Sequence, residues 1–411
     1  MTLGESLADK VKKMLEQPSV GTQHVKTSNK YPTGWEPGVR YDKDTMSVIT
    51  DAVPKLENED SWKAAVEALG VSMPDGWKVT LVEAKYDGSA WQRQNEGEDA
   101  TTAPVWRYKF RVDQTANSIN ADELFGIIDK HRVRKKSSED KPVNLNSVWI
   151  LATGDWQLGK SDGDGAVGTV ERILEATDKA VDRIRELKRL KRFPGTAALF
   201  LTGDCVEGFV SQGGGNVWRT NMTMTEQVRA YRRLVMHMAT TLANEVDNLQ
   251  ILAVPGNHGE TFRIGKNLGT RVDDSWDLDA VVAVEEALRH KGDSYDHVRF
   301  TQPGVDESTV TVDLGGTIVG CAHGHLIQRG DVKKWIGEQA RNMSPIGDAH
   351  LIITGHRHHL RVESMGPRTW IQVPAMESES TWWRNRTGEV APPGMVSLLT
   401  GEKTWGDLAV H

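Results

Sequence analysis

The sequence predicts an α/β layered domain that is preceded by a smaller α+β module. From about residue 147 onward, the chain repeats a short apolar strand, a polar loop and a helix. The strands are continuous apolar runs, as expected for strands that are covered on both faces. With 411 residues, the chain also exceeds the size of one ordinary core. We therefore expect two domains, at residues 1–140 and 147–411.

The N-terminal module combines helices with half-exposed strands. Two helices flank a pair of segments that alternate apolar and polar residues, as antiparallel strands do. The predicted elements are, in chain order, an amphipathic helix at 1–17, a helix at 61–69, strands at 77–82 and 106–112, and a helix at 121–130. The charged, proline-terminated run at 132–142 predicts a linker. A DNA-binding module and a scaffold or oligomerisation module both fit, and the absence of a basic recognition helix favours the second.

The larger domain alternates strands with helices at regular spacing. Its predicted strands are 148–152, 197–202, 250–254, 317–321, 350–354 and 369–373. Apolar residues at helical spacing predict helices at 169–192, 224–246 and 278–290. In an open α/β sheet, the loops at the carboxyl ends of the strands meet at one edge. Residues from distant loops are therefore expected to meet there.

Composition excludes several classes of protein. The net charge of −7 and the pI near 6.0 argue against a broadly basic, indiscriminate nucleic-acid binder. Cys205 and Cys321 are too few for a disulfide framework and lack zinc-ribbon spacing, so a reducing cytoplasm is the expected location. No run approaches the roughly eighteen apolar residues of a membrane span. We expect a cytoplasmic protein without a membrane partner.

Five loops of the larger domain carry residues that ligate metals, and each follows a predicted strand. They are Gly-Asp-Trp-Gln at 154–157, Gly-Asp at 203–204, Gly-Asn-His at 256–258, His-Gly-His at 323–325 and Gly-His-Arg-His at 355–358. Any one loop is weak evidence, because a single histidine before a helix is more often a capping or surface residue. All five in this order, each at a strand end, predict a metal centre.

These motifs resemble those of the calcineurin-like metallophosphoesterases. The resemblance implies a layered β-sandwich core with flanking helices and two divalent ions that share one carboxylate. The ligands of the first ion would be Asp155, Gln157, Asp204 and His358. The ligands of the second would be Asp204, Asn257, His323 and His356. Mn²⁺ is the expected ion, with Mg²⁺, Fe, Zn²⁺ and Ni²⁺ as other candidates.

Two ions about 3.5–4 Å apart are able to clamp the attacking and leaving oxygens of a phosphate ester. In that scheme, a bridging hydroxide is the nucleophile. His258, next to a ligand, is then placed to protonate the leaving oxygen. We also expect Arg219, in the glycine-rich run at 211–219, and His325 to contact the substrate.

The first loop departs from the family pattern, since Gln157 stands where a histidine is usual. The stretch Asp-Trp-Gln-Leu-Gly is most similar to the first motif of the Mre11/SbcD DNA nucleases. A glutamine oxygen is a neutral donor that suits hard cations, so the substitution predicts a weaker first site. The segment after His358 is too short for the capping and ATPase-binding regions of those nucleases, so no SbcC/Rad50-type partner region is expected there.

The sequence favours a two-metal phosphodiesterase that acts on DNA, either as an exonuclease or as an endonuclease. Two alternatives remain open, because substrate choice depends on loops rather than on the metal motifs. One is a phosphatase or a small-nucleotide phosphodiesterase with the same site. The other is a catalytically inactive scaffold that binds metal or DNA. A homo-oligomer is compatible with each of them.

Overall fold

In the computed structural model, the chain divides into two compact units, Met1–Asn117 and Ser118–His411. The described residues are 35, 37–42, 45–71, 77–92, 101–114, 120–134, 146–211, 220–264, 267–328, 331–378, 388 and 391–411. The helix predicted at 1–17 lies outside them, as does most of the linker predicted at 132–142.

The first unit contains an antiparallel sheet and a helix. Its strands are β1 Gly38–Asp42, β2 Thr45–Ile49, β3 Val53–Pro54, β4 Trp77–Gln92 and β5 Thr101–Gln114. Strand β5 is central, since it pairs with β2, β3 and β4. Helix α1, Glu59–Glu67, begins at a capping box between Asn58 and Ser61. The two strands and the helix predicted at 61–69 are confirmed, and both strands are longer than expected.

The second unit contains two sheets that pack face to face. Strands of the first sheet are β6 Val148–Thr153, β7 Thr196–Leu201, β8 Asn248–Ala253, β11 Val298–Thr301, β17 Val396–Gly401 and β18 Thr404–Val410. Their order is β11-β8-β7-β6-β17-β18. Strands of the second sheet are β12 Thr309–Leu314, β13 Thr317–Ala322, β14 Leu351–Thr354, β15 Arg361–Met365 and β16 Arg368–Gln372. Their order is β12-β13-β14-β16-β15. A short ribbon joins β9 Arg263–Ile264 to β10 Asn267–Leu268.

Helices cover the outer faces of this sandwich. They are α2 Ala121–Lys130, α3 Gly165–Arg189, α4 Met224–Ala243, α5 Trp276–Arg289 and α6 Val332–Arg341. Helices α2 to α5 share an apolar core with one face of the first sheet, and α6 shares another with the second sheet. Successive side chains of strand β6 point to opposite faces of the sheet. Trp149 and Leu151 therefore lie in the core shared with the helices, whereas Ile150 lies in the core between the two sheets. The predicted α/β sandwich with flanking helices is confirmed.

Helix α2 belongs to the second unit, whereas the sequence placed it in the N-terminal module. Its buried residues Leu124, Phe125 and Ile128 lie in the same apolar core as α3 and α4. The unit boundary therefore falls after Asn117 and not near residue 140. Local composition does not reveal what a helix packs against, so α2 was grouped with the module that precedes it in the chain.

We expect Leu124→Ala to destabilise the protein by about 2–5 kcal/mol, the usual cost of removing a fully buried leucine. Leu124 is 0% exposed, so a cavity would open between α2 and the other helices. The measurement is urea unfolding of the full chain, with Lys130→Ala on the exposed side of the same helix as the control. Equal unfolding midpoints for the two variants would show that α2 is not part of this core.

The sequence did not predict α6 or strands β11, β12, β15, β17 and β18. Several of these strands are half-exposed at the sheet margins, where the apolar signal is weaker. Within the described residues, no helix combines the length and the apolar composition that a membrane crossing requires.

Candidate metal centre

The loops that carry the predicted ligands meet at one end of the sandwich. Strands β6, β7 and β8 run parallel in the first sheet, and β13 and β14 run parallel in the second, so their carboxyl ends lie together. A contact joins the two edges, since Nδ1 of His323 lies 2.8 Å from the carbonyl oxygen of Thr202. Within the second edge, the amide of Gly355 donates to the carbonyl of His323. The predicted convergence of these loops is confirmed.

Three groups form the tightest candidate ligand set. Ligand atoms of Asp204, His323 and His356 all lie within 4.8 Å of one another. Buried polar atoms without a hydrogen-bond partner here include Oδ2 of Asp204, Nε2 of His323, Oδ1 of Asn257 and Oδ1 of Asp155. A buried polar atom left unpaired is costly, so this set requires something to bind.

The tautomer of His323 indicates what binds. Its Nδ1 faces the carbonyl of Thr202 and therefore carries the proton, which leaves a lone pair on Nε2. That Nε2 lies 2.9 Å from Oδ2 of Asp204, so the two atoms share either a proton or a bound cation. Carboxylate, imidazole and amide oxygen together suit a divalent transition metal.

The surrounding charges hold Asp204 and His356 in the protonation states that bind a cation. Burial alone would raise the pKa of Asp204, but His323 and His258 hold it below its usual range, so the carboxylate is ionised. Burial and the neighbouring His323 lower the pKa of His356 to about 4, which keeps its ring neutral. Although burial favours the neutral form of His323, the carboxylate of Asp204 raises its pKa to about 9. A bound cation would take the place of that proton.

Five of the seven predicted ligands adopt a left-handed backbone that non-glycine residues rarely use. The φ angles are 50° at Asp155, 41° at Gln157, 53° at Asp204, 74° at His356 and 61° at His358. Such conformations cost about 1–3 kcal/mol each and persist where the surroundings enforce them. Their concentration in these loops supports a functional site.

Glycines in the motifs allow the loops to approach closely. A Cβ atom on Gly256 would overlap the carboxylate of Asp204, and one on Gly355 would lie 2.6 Å from Oδ2 of Asp155. Gly256 directly precedes the predicted ligand Asn257, and Gly355 directly precedes the predicted ligand His356. The Gly-Asn-His and Gly-His-x-His patterns therefore follow from the packing of one ligand loop against another.

Sequence analysis missed a buried carboxylate that holds these loops together. Asp277, in the first turn of α5, accepts hydrogen bonds from the backbone amides of Asp204 at 3.1 Å, Gly256 at 2.9 Å and Cys205 at 3.0 Å. Burial and the nearby Asp204 raise its pKa to about 6. An acid in the first turn of a helix normally interacts with the helix terminus, so no distinct signal marks Asp277 in the sequence.

Two further carboxylates, Glu207 and Glu377, orient histidines of the site. Nδ1 of His258 lies 2.8 Å from the carbonyl oxygen of Glu207 and 3.3 Å from its carboxylate. Nδ1 of His358 lies 2.8 Å from Oε1 of Glu377. Each contact fixes the proton on Nδ1 and directs Nε2 towards the site, the arrangement that metal centres commonly use.

The predicted first set is only partly assembled. Nε2 of His358 lies 3.3 Å from Oδ1 of Asp155. The side-chain nitrogen of Gln157 lies 3.5 Å from Nε2 of His258 and 3.5 Å from Nε2 of His358. Its oxygen accepts a hydrogen bond from Lys160 at 3.2 Å. The ligand role of Gln157 stays a prediction.

Of the two predicted substrate contacts, His325 lies within the described residues and Arg219 does not. The ring of His325 is centred 5.3 Å from that of His323, and its buried Nδ1 has no hydrogen-bond partner. It therefore lies beside the ligand set, as expected. Arg219 lies outside the described residues, as does the rest of the glycine-rich run from 212 onward.

Comparisons with known proteins found a matching family model and several solved structures of low identity. A family model described as calcineurin-like phosphoesterase matches residues 148–360. No curated protein matches the chain. Among solved structures, a predicted phosphoesterase from Streptococcus pneumoniae is 12% identical with a TM-score of 0.27, and the match covers 62% of this chain and 83% of that one. An archaeal phosphodiesterase is 15% identical with a TM-score of 0.30, covering 64% and 99%. Zinc-complexed Vps29 from Entamoeba histolytica is 12% identical with a TM-score of 0.30, covering 64% and 97%.

The chain belongs to the calcineurin-like phosphoesterase family, because the family model spans more than half of it and all five ligand loops. It is a metal-dependent phosphoesterase, a hydrolase that acts on phosphate ester bonds. The family uses divalent metals, and the set formed by Asp204, His323 and His356 fits such an ion.

Proposed function

We propose that the chain is a phosphodiesterase that cleaves DNA, with Mn²⁺ as its divalent metal. The observation that carries this proposal is the buried set of unpaired ligand atoms on Asp204, Asn257 and His323. A divalent ion there would polarise the phosphate and lower the pKa of water. The resemblance of the first loop to the Mre11/SbcD nucleases supports DNA over other esters.

Exposed residues in the ligand loops suit a polynucleotide. Phe262 follows His258 in the same loop, and 53% of it is exposed, so it is available to stack on a base. Arg357 lies between His356 and His358 and is also exposed, so it is available to a backbone phosphate. Together they give the site a stacking surface and a positive charge.

His258 is the residue that we propose as proton donor to the leaving oxygen. Its backbone amide donates to Oδ1 of Asp204 at 2.7 Å, which fixes the ring beside the ligand set. Glu207 holds Nδ1, so Nε2 is the atom that faces the site. Ser211 Oγ lies 3.3 Å from Nδ1 and adds a second polar contact.

The substrate class is tested by an assay on four substrates. Purified protein with Mn²⁺ is expected to cleave single- or double-stranded DNA and bis-p-nitrophenyl phosphate, and to be slower on the monoester p-nitrophenyl phosphate. Removing the metal with a chelator should abolish cleavage, and adding Mn²⁺ should restore it. Activity confined to the monoester would replace the nuclease proposal with a phosphatase. Metal binding without turnover on any of the four would indicate a scaffold.

A further inference from the structure

The amide of Gln157 is held by Lys160 on one side. Nζ of Lys160 donates to Oε1 of Gln157 at 3.2 Å. An ammonium group has donors and no acceptor, so rotating the amide by half a turn would place its NH2 group against a second donor. The NH2 side therefore faces His258 and His358. An amide nitrogen in this position does not ligate a cation.

Lys160 is itself held in place. Its ammonium forms an ion pair with Glu377, and the two side chains are 12% and 5% exposed. Glu377 also accepts from Nδ1 of His358 at 2.8 Å, so the lysine, the glutamate and the histidine form one chain of contacts. Moving Lys160 away would leave a buried carboxylate without its cation, which is costly. The lysine thus secures the orientation of Gln157.

These contacts occupy the place where the first family ion would bind. The NH2 group of Gln157 points at Nε2 of His358, the atom that would otherwise ligate a metal. A second divalent ion would also meet the nearby positive charge of Lys160. Within the described residues, the compact set of histidine and carboxylate ligand atoms is that of Asp204, His323 and His356, whereas Nε2 of His358 and Oδ1 of Asp155 lie 3.3 Å apart outside it.

We propose that Gln157 and Lys160 replace the first of the two family metals, so that each chain holds a single ion at Asp204, Asn257, His323 and His356. The ammonium of Lys160 supplies a fixed positive charge on the side of the site where the ion is missing. Asp155 then holds the loop of His356 in place, because its Oδ2 accepts a hydrogen bond from the backbone amide of His356 at 2.7 Å.

Metal stoichiometry tests this proposal without any substrate. Chelator-treated full-length protein is titrated with Mn²⁺ by calorimetry, and the bound metal is counted by elemental analysis after desalting. We expect one ion per chain, with the electron paramagnetic resonance spectrum of an isolated Mn²⁺ rather than of an exchange-coupled pair. Two ions bound to the wild-type protein would overturn the proposal, whichever phosphate ester proves to be the substrate.

A double variant extends the test. Gln157→His with Lys160→Ala restores an imidazole and removes the competing charge, so it should bind a second ion and give a coupled spectrum. Lys179→Ala, on the exposed side of α3, is the matched control and should stay at one ion. A double variant with an unchanged circular dichroism spectrum that still binds one ion would contradict the role given to Gln157 and Lys160. If the double variant does not fold, the wild-type count decides.

Discussion

Asp204→Asn is expected to abolish metal binding at the centre and to reduce phosphodiester cleavage by more than about 10²-fold. Oδ2 of Asp204 lies 2.9 Å from Nε2 of His323 and has no hydrogen-bond partner, so it is the atom best placed to bind the ion. Asparagine keeps the shape of the side chain but removes its charge. Since loss of an outer-shell partner alone costs about 10–100-fold, loss of this ligand should cost more.

Metal content and rate are measured on the same preparation, by elemental analysis and by hydrolysis of bis-p-nitrophenyl phosphate. Asp247→Asn serves as the control, because this aspartate is exposed and directly precedes β8, at the opposite end of that strand from the loop that carries Asn257. It should retain metal and rate. An Asp204→Asn protein that binds its full complement of metal would show that the centre lies elsewhere.

The convergence of the ligands was predictable from the sequence because it depends on local features. Apolar runs identified the strands, and each ligand loop directly follows one of them. Parallel strands have their carboxyl ends at one edge, so Asp155, Asp204 and Asn257 had to lie together. The same logic placed His323 and His356 at the edge of the second sheet.

The supporting carboxylates were not predictable, because their roles depend on tertiary contacts. Asp277 accepts from amides that lie about seventy residues upstream of it as well as from Gly256, and nothing in its own helix indicates those partners. Glu377 lies in a loop after β16 that showed no motif, yet it orients His358. The effect of Gln157 likewise depends on Lys160 and on its ion pair with Glu377.

Strand β17 and the unit boundary were missed for a related reason. Strand β17 pairs antiparallel with β6, which is far from it in sequence, so its place is fixed by long-range pairing. Helix α2 was assigned by its position in the chain rather than by its apolar face. In both cases, the position of the element depends on the element that it packs against or pairs with, and a single sequence does not identify that partner.

The second large effect concerns proton transfer at His258. The ring lies beside the ligand set, and Glu207 fixes its Nδ1 proton, so Nε2 is the atom available to the leaving oxygen. Departure of an alkoxide, as in DNA, needs a proton in the transition state. Departure of p-nitrophenolate does not, because that anion is already stable. A proton donor therefore matters more for the first substrate than for the second.

His258→Asn is accordingly expected to slow DNA cleavage by about 10²–10⁴-fold, the usual contribution of a general acid, and to slow bis-p-nitrophenyl phosphate much less. Metal content should be unchanged, since the histidine contributes its backbone amide rather than its ring to Asp204. His325→Asn is the comparison: a residue that only contacts substrate should affect both substrates through KM. Equal losses of kcat on both leaving groups in His258→Asn would mean that the histidine acts by holding its loop, because a lost proton donor must distinguish a poor leaving group from a good one.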